Sequence, residues 1–160
     1  MPLLETYQDL YQRAQQAHHT GEISTAIELY SELVHGLMKA GGPVGEEQQS
    51  KLIDNSANKL VELLRWERRY DDAISLLEQL IKVSPTRELS LRMNAAILRV
   101  EAGADTDHPE EDCGYKSSTG LEELHKIVEA DPENIWGWIT LGTTYLWLTR
   151  YEKTEEYLWQ

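Results

Sequence analysis

Basic residues are scarce in this chain: 15 Lys and Arg stand against 28 Asp and Glu, a formal charge of −13 with a pI near 4.7. Neutralising phosphates needs a concentrated basic face, so nucleic acid and anionic membrane surfaces are poor partners. Cysteine occurs once, at Cys113, which excludes an internal disulfide. No basic start followed by an apolar core opens the chain, so no secretory leader is expected, and no apolar run approaches the roughly 18 residues that a membrane span needs. A soluble, cytoplasmic protein is the expectation. Also missing are G-x-S-x-G, a phosphate-cradling Gly-rich loop and H-E-x-x-H. Asp and Glu are spread along helix faces with no pair in a recognisable cleft, so nothing argues for an enzyme or for a bound cofactor.

Proline is also rare. Its five copies sit at Pro2, Pro43, Pro85, Pro109 and Pro132, and they leave long stretches uninterrupted. Within those stretches apolar residues recur at three and four, as in Leu60, Leu63, Leu64 and then Ile74, Leu77, Leu80, Ile81. Strict alternation over strand length is absent. The pattern predicts an all-α chain with helices near 3–20, 23–40, 46–67, 70–83, 87–102, 119–130, 134–148 and 151–160. A length of 160 residues, 41% hydrophobic and 27% charged with a mean hydropathy of −0.52, fits one globular domain.

The helices repeat. Gly21-Glu22-Ile23-Ser24-Thr25-Ala26-Ile27 lines up with Arg68-Arg69-Tyr70-Asp71-Asp72-Ala73-Ile74. A third copy ends in Ala130-Asp131-Pro132. A fourth opens with Trp138-Ile139-Thr140-Leu141-Gly142-Thr143-Thr144-Tyr145, which matches the W-x2-L-G-x2-Y pattern at every fixed position. The chain therefore resembles the tetratricopeptide repeat (TPR) family. Small residues at the family's close helix contacts are Ala14, Ala95 and Gly142 in first helices, with Val61 departing, and Ala26, Ala73 and Gly120 in second helices, with Thr154 departing. Ala26, Ala73 and Gly120 are spaced 47 residues apart, 13 more than the family's 34-residue period, whereas Thr154 follows Gly120 by 34. One insertion is expected at 41–45 and another at 103–119, the latter an acidic loop inside the third copy. The repeats fall near 7–40, 54–87, 88–134 and 135–160, the last incomplete.

The resemblance implies a right-handed stack of about four helical hairpins whose first helices line a concave groove for a peptide or partner protein. Its groove-facing positions fall here on Gln8, Tyr11, Gln12, Gln15, His18 and His19; Asn55, Asn58, Lys59, Glu62, Arg65 and Trp66; Leu89, Arg92, Met93, Ala96, Arg99 and Val100; and Trp136, Ile139, Thr140, Thr143, Leu146 and Trp147. Lys59, Arg65, Arg92 and Arg99 are basic there and only Glu62 is acidic, so the groove is expected to favour an acidic peptide or a free C-terminal carboxylate. Asn55 and Asn58 would hold the peptide backbone, and Met93 with Tyr11 would supply apolar contact. The blander alternative is that Arg65 and Arg99 merely pair with acidic neighbours. The Lys-and-two-Asn carboxylate clamp of chaperone-binding relatives is not reproduced, since its offsets hold Tyr11, Gln15 and Lys59.

Two further features carry expectations. Asp105 to Cys113 gathers acids with His108 and Cys113, but Glu110 and Lys116 stand where a calcium loop needs Gly and Glu, and no paired zinc spacing occurs. A solvated acidic loop is preferred over a metal-dependent enzyme, and the carboxylates beside Cys113 disfavour its thiolate. His18 and His19 suit a helix C-terminus. At the other end no polar capping helix follows the last repeat, and Trp136, Trp147, Leu158 and Trp159 are expected to form an association surface, for a homodimer or for docking on further repeats.

Overall fold

A computed structural model describes residues 2–40, 47–84, 87–104 and 113–158, with side chains placed at 6–40, 49–84, 87–103 and 119–148. Among the described residues there are seven α-helices and no strand: α1 (Pro2–His19), α2 (Ile23–Lys39), α3 (Glu47–Trp66), α4 (Tyr70–Val83), α5 (Glu88–Ala104), α6 (Cys113–Ala130) and α7 (Ile135–Leu158). The chain divides into two compact units, Met1–Arg69 and Tyr70–Gln160, and the division falls between the two helices of the second repeat.

In the first unit α1 packs on α2 and α2 on α3. Leu10, Leu33 and Leu37 form its core, and Tyr7, Tyr11, Leu29, Leu52 and Ile53 close over them. Tyr30, 1% exposed, meets Tyr11 edge to face at 6.0 Å between ring centres. Burial, then the nearby Tyr11 and the Glu62 carboxylate, push the Tyr30 phenol up to about 12. In the second unit α5 packs most extensively on α6, with α4 against α5 and α7 against both α5 and α6. Its core joins Ala96, Leu124, Val128 and Leu141, flanked by Met93 and Leu121.

The repetition is visible in how two helices end. Gly21 has φ 82°, its N–H donates to the His18 carbonyl, and the Glu22 N–H reaches back to the Ala17 carbonyl. Arg68, the aligned residue, has φ 58°, with its N–H on Arg65 and the Arg69 N–H on Leu64. Both are the paired hydrogen-bond pattern that stops a helix through one left-handed residue. Glycine adopts that conformation freely, whereas Arg68 adopts it against its own Cβ.

Small residues sit where the alignment puts close contacts. Ala14, Ala26, Ala73 and Ala95 are buried. At Gly120 an added Cβ would stand 2.5 Å from the Ala96 carbonyl oxygen and 2.8 Å from Val100 Cγ2, so only glycine lets α6 approach α5 this closely.

The structure corrects the sequence reading at two places. The fourth repeat is not a hairpin: α7 runs as one helix through 149–150, where a turn was expected. Leu148-Thr149-Arg150-Tyr151 holds no glycine, asparagine or proline, and so nothing there stops a helix already under way. The inserted segment is also shorter than 103–119, because α5 continues to Ala104 and α6 begins at Cys113. The acidic residues 105–112 and the insertion at 41–45 lie outside the described residues.

Candidate protein-binding surface

α7 starts at a firm cap. The Asn134 Oδ1 accepts from the Gly137 N–H at 3.0 Å, satisfying one of the donors that open every helix, and the Trp138 Nε1–H donates to the Pro132 carbonyl at 2.9 Å. From there the helix buries one side, through Gly137, Leu141 and Thr144, whose hydroxyl bonds the Thr140 carbonyl at 2.7 Å. His125 Nε2 and the Tyr145 hydroxyl, 2.8 Å apart, tie α6 to α7.

The other side of α7 is apolar and open. Of the ten large apolar residues exposed among the described residues, seven belong to it: Ile135, Trp136, Trp138, Ile139, Tyr145, Leu146 and Trp147, from 40% exposed at Trp147 to 74% at Trp136. No residue from 135 to 148 carries a charge. In a chain of net charge −13 this contiguous uncharged apolar face is the candidate interaction surface.

On its flank a cleft of about 280 Å³ opens between α5 and α7, lined by Leu89, Ser90, Met93, Asn94 and Ile97 of α5 together with Asn134, Trp136 and Thr140. None of the eight is ionisable. The volume lies below the roughly 300–1,000 Å³ of small-ligand pockets and suits a single large side chain. Apolar walls with amides and hydroxyls at the mouth would hold an aliphatic or aromatic anchor and bond the backbone on either side of it.

Four residues that the groove alignment names, Leu89, Met93, Trp136 and Thr140, line this cleft, but Ala96 and Val100 do not: they are 0% and 1% exposed and belong to the core. The open side of α5 is turned by one residue, about 100° of helix, so that Ser90, Asn94 and Ile97 face the cleft instead. The polar pair Ser90 and Asn94, one turn apart, was the available signal.

The basic side chains do not stand free. Arg92 donates through Nε and Nη2 to Glu123 Oε1 at 3.1 and 2.9 Å, with Glu88 3.6 Å from Nη1. Arg99 holds Glu78 at 2.8 Å and Lys59 holds Glu62 at 2.9 Å. Arg65 is exposed and has polar or charged company of its own. An acidic ligand at Arg92 or Arg99 has to compete with a carboxylate of this chain already bound there. Among the remaining expected groove residues, Gln12, Gln15, Asn55 and Asn58 are exposed and Tyr11 is half-buried against Tyr30, all in the first unit. Leu158's side chain and Trp159 lie outside the described residues. No group of three or more His, Cys, Asp or Glu that would hold a metal occurs among the described residues, and none of their helices is long and apolar enough to cross a membrane.

The chain matches no family model, no curated protein and no solved structure. The likeness to tetratricopeptide repeats therefore rests on its own residues.

Proposed function

We propose that this chain is a non-catalytic, TPR-like interaction module that binds a partner protein through the α5–α7 cleft and the apolar side of α7. The observation that carries the reading is the cleft itself, apolar, uncharged and continuous with exposed Trp136, in a protein of net charge −13. A repeat stack also supports it, because α5 and α7 are the first helices of consecutive copies in the alignment and they pack side by side. Identical helix endings at Gly21 and Arg68 support the same arrangement. The preferred ligand presents one large apolar side chain from a segment whose backbone can bond Asn94. An acidic peptide or C-terminal carboxylate is the weaker form of the reading, since Arg92 and Arg99 already hold Glu123 and Glu78. A cytoplasmic setting belongs to the proposal and draws on the single, unpaired cysteine.

Selection of a random peptide library on the full chain tests this reading. The expected winners share one large aliphatic or aromatic residue at a fixed position. Enrichment of acidic residues with no apolar anchor would contradict it.

A further inference from the structure

The centre of the exposed side of α7 is a stripe, Ile135, Ile139, Gly142 and Leu146, spaced four, three and four residues apart. That is the spacing of a seam that packs against another helix. Gly142 lies in the middle of it with nothing within 4 Å of where a Cβ would stand, although the repeat pattern reserves this residue for close helix contact. Because α7 runs as one helix to Leu158, residues 149–158 do not fold back over the stripe as the second helix of a hairpin would.

We propose that the stripe is covered by α7 of a second copy of this chain, running antiparallel about a twofold axis between Thr140 and Leu141. The stripe is self-complementary about that point. Ile135 and Leu146 lie equally far on either side of it, as do Ile139 and Gly142. An antiparallel pairing therefore sets each Ile135 against Leu146 of the second copy and each Ile139 into the space left by the other chain's Gly142. A parallel pairing sets isoleucine on isoleucine and glycine on glycine, which leaves a gap.

Charge points the same way. Two molecules of charge −13 repel, and residues 135–148 are a surface on which they can meet without bringing carboxylates together. Area is also sufficient. Taking roughly 200 Å² as the full surface of a large apolar residue, the seven exposed residues of α7 leave on the order of 750 Å² open, close to the roughly 800 Å² per partner of a standard interface. Interfaces of this size span micromolar to far tighter affinities, so a dimer should be populated at hundreds of micromolar. The interface goes beyond the peptide-binding reading: it shares the apolar side of α7 with it but leaves out the α5 wall of the cleft, Leu89, Ser90, Met93, Asn94 and Ile97, so substitutions there test that reading without touching the dimer.

Sedimentation equilibrium of the full chain, up to hundreds of micromolar, tests the proposal. The parent is expected to form a dimer, and Ile139→Glu, at an exposed position and checked by circular dichroism to keep the parent's helix content, is expected to raise the dimer Kd at least about 30-fold. Mixing Ile139→Glu with Gly142→Lys separates the two orientations: the antiparallel pair gains a Glu–Lys contact and forms a mixed dimer tighter than either variant alone. A parent that stays monomeric, an Ile139→Glu variant that dimerises like the parent, or a mixture that shows no heterodimer would each overturn the proposal.

Discussion

Glycine at two positions of the second unit leads to opposite outcomes. An alanine at Gly120 would place its methyl 2.5 Å from the Ala96 carbonyl oxygen, 2.8 Å from Val100 Cγ2 and 3.0 Å from the Val100 nitrogen. Two of these three neighbours are backbone atoms of α5, so no rotamer change relieves the contact and the helices must part by something near 1 Å. Separations of that order forfeit a quarter to a half of each dispersion contact across the interface, and overpacking of this kind costs about 1–3 kcal/mol. Against this stands the gain of about 1 kcal/mol from replacing glycine inside a helix. The net expectation for Gly120→Ala is a loss of up to about 2 kcal/mol, a fall of as much as roughly 8 °C in Tm for a chain of this size. Gly142→Ala keeps the propensity gain and meets nothing, so its Tm should rise by about 2–4 °C. Melting followed by helix circular dichroism, at the lowest protein concentration that gives a signal so that self-association contributes least, reads both. A Gly120→Ala variant as stable as Gly142→Ala would refute the close α5–α6 approach.

Arg68→Gly should stabilise the first unit by about 0.5–1 kcal/mol, because the φ of 58° is held at present by a residue with a Cβ; urea unfolding measures it, and a loss of stability would argue against the helix ending described. Tyr30 should ionise late. Its phenol is raised from 10.0 to about 12, so the stability it contributes is full below pH 10 and is lost as pH climbs from 10 towards 12. Tyrosinate absorbance should then show one phenol titrating together with unfolding, absent in Tyr30→Phe. Replacing Arg99 by Gln should lower stability by less than about 1 kcal/mol, since Glu78 is half-exposed and such pairs are weak; a double-mutant cycle with Glu78→Gln isolates the coupling.

Helices α1 to α4 were legible because the signals were local: apolar residues at three and four, glycine at 21, and an offset of 47 residues that carried the same ending onto Arg68, where no glycine announces it. The rest depended on what single-helix patterns do not contain. The fourth hairpin was inferred from the family period, while Leu148 to Tyr151 offered no stop signal to enforce a turn. Arg92 and Glu123 are 31 residues apart and Arg99 and Glu78 are 21 apart, so these ion pairs exist only once α4, α5 and α6 are packed. Of the expected groove positions on α5, Ala96 and Val100 are instead claimed by the core, above all by the tight approach at Gly120.

The central claim is that binding is carried by the apolar cleft and not by the cations beside it. Isothermal titration of a selected peptide against the parent, Leu89→Glu and Arg92→Gln separates the two. Leu89 is an exposed cleft residue in the first turn of α5, where an added carboxylate suits the helix dipole and the fold is kept. Leu89→Glu is expected to lose at least about tenfold in affinity, from a charge placed against an apolar anchor, and Arg92→Gln to change little. Binding that survives Leu89→Glu and disappears with Arg92→Gln would contradict it.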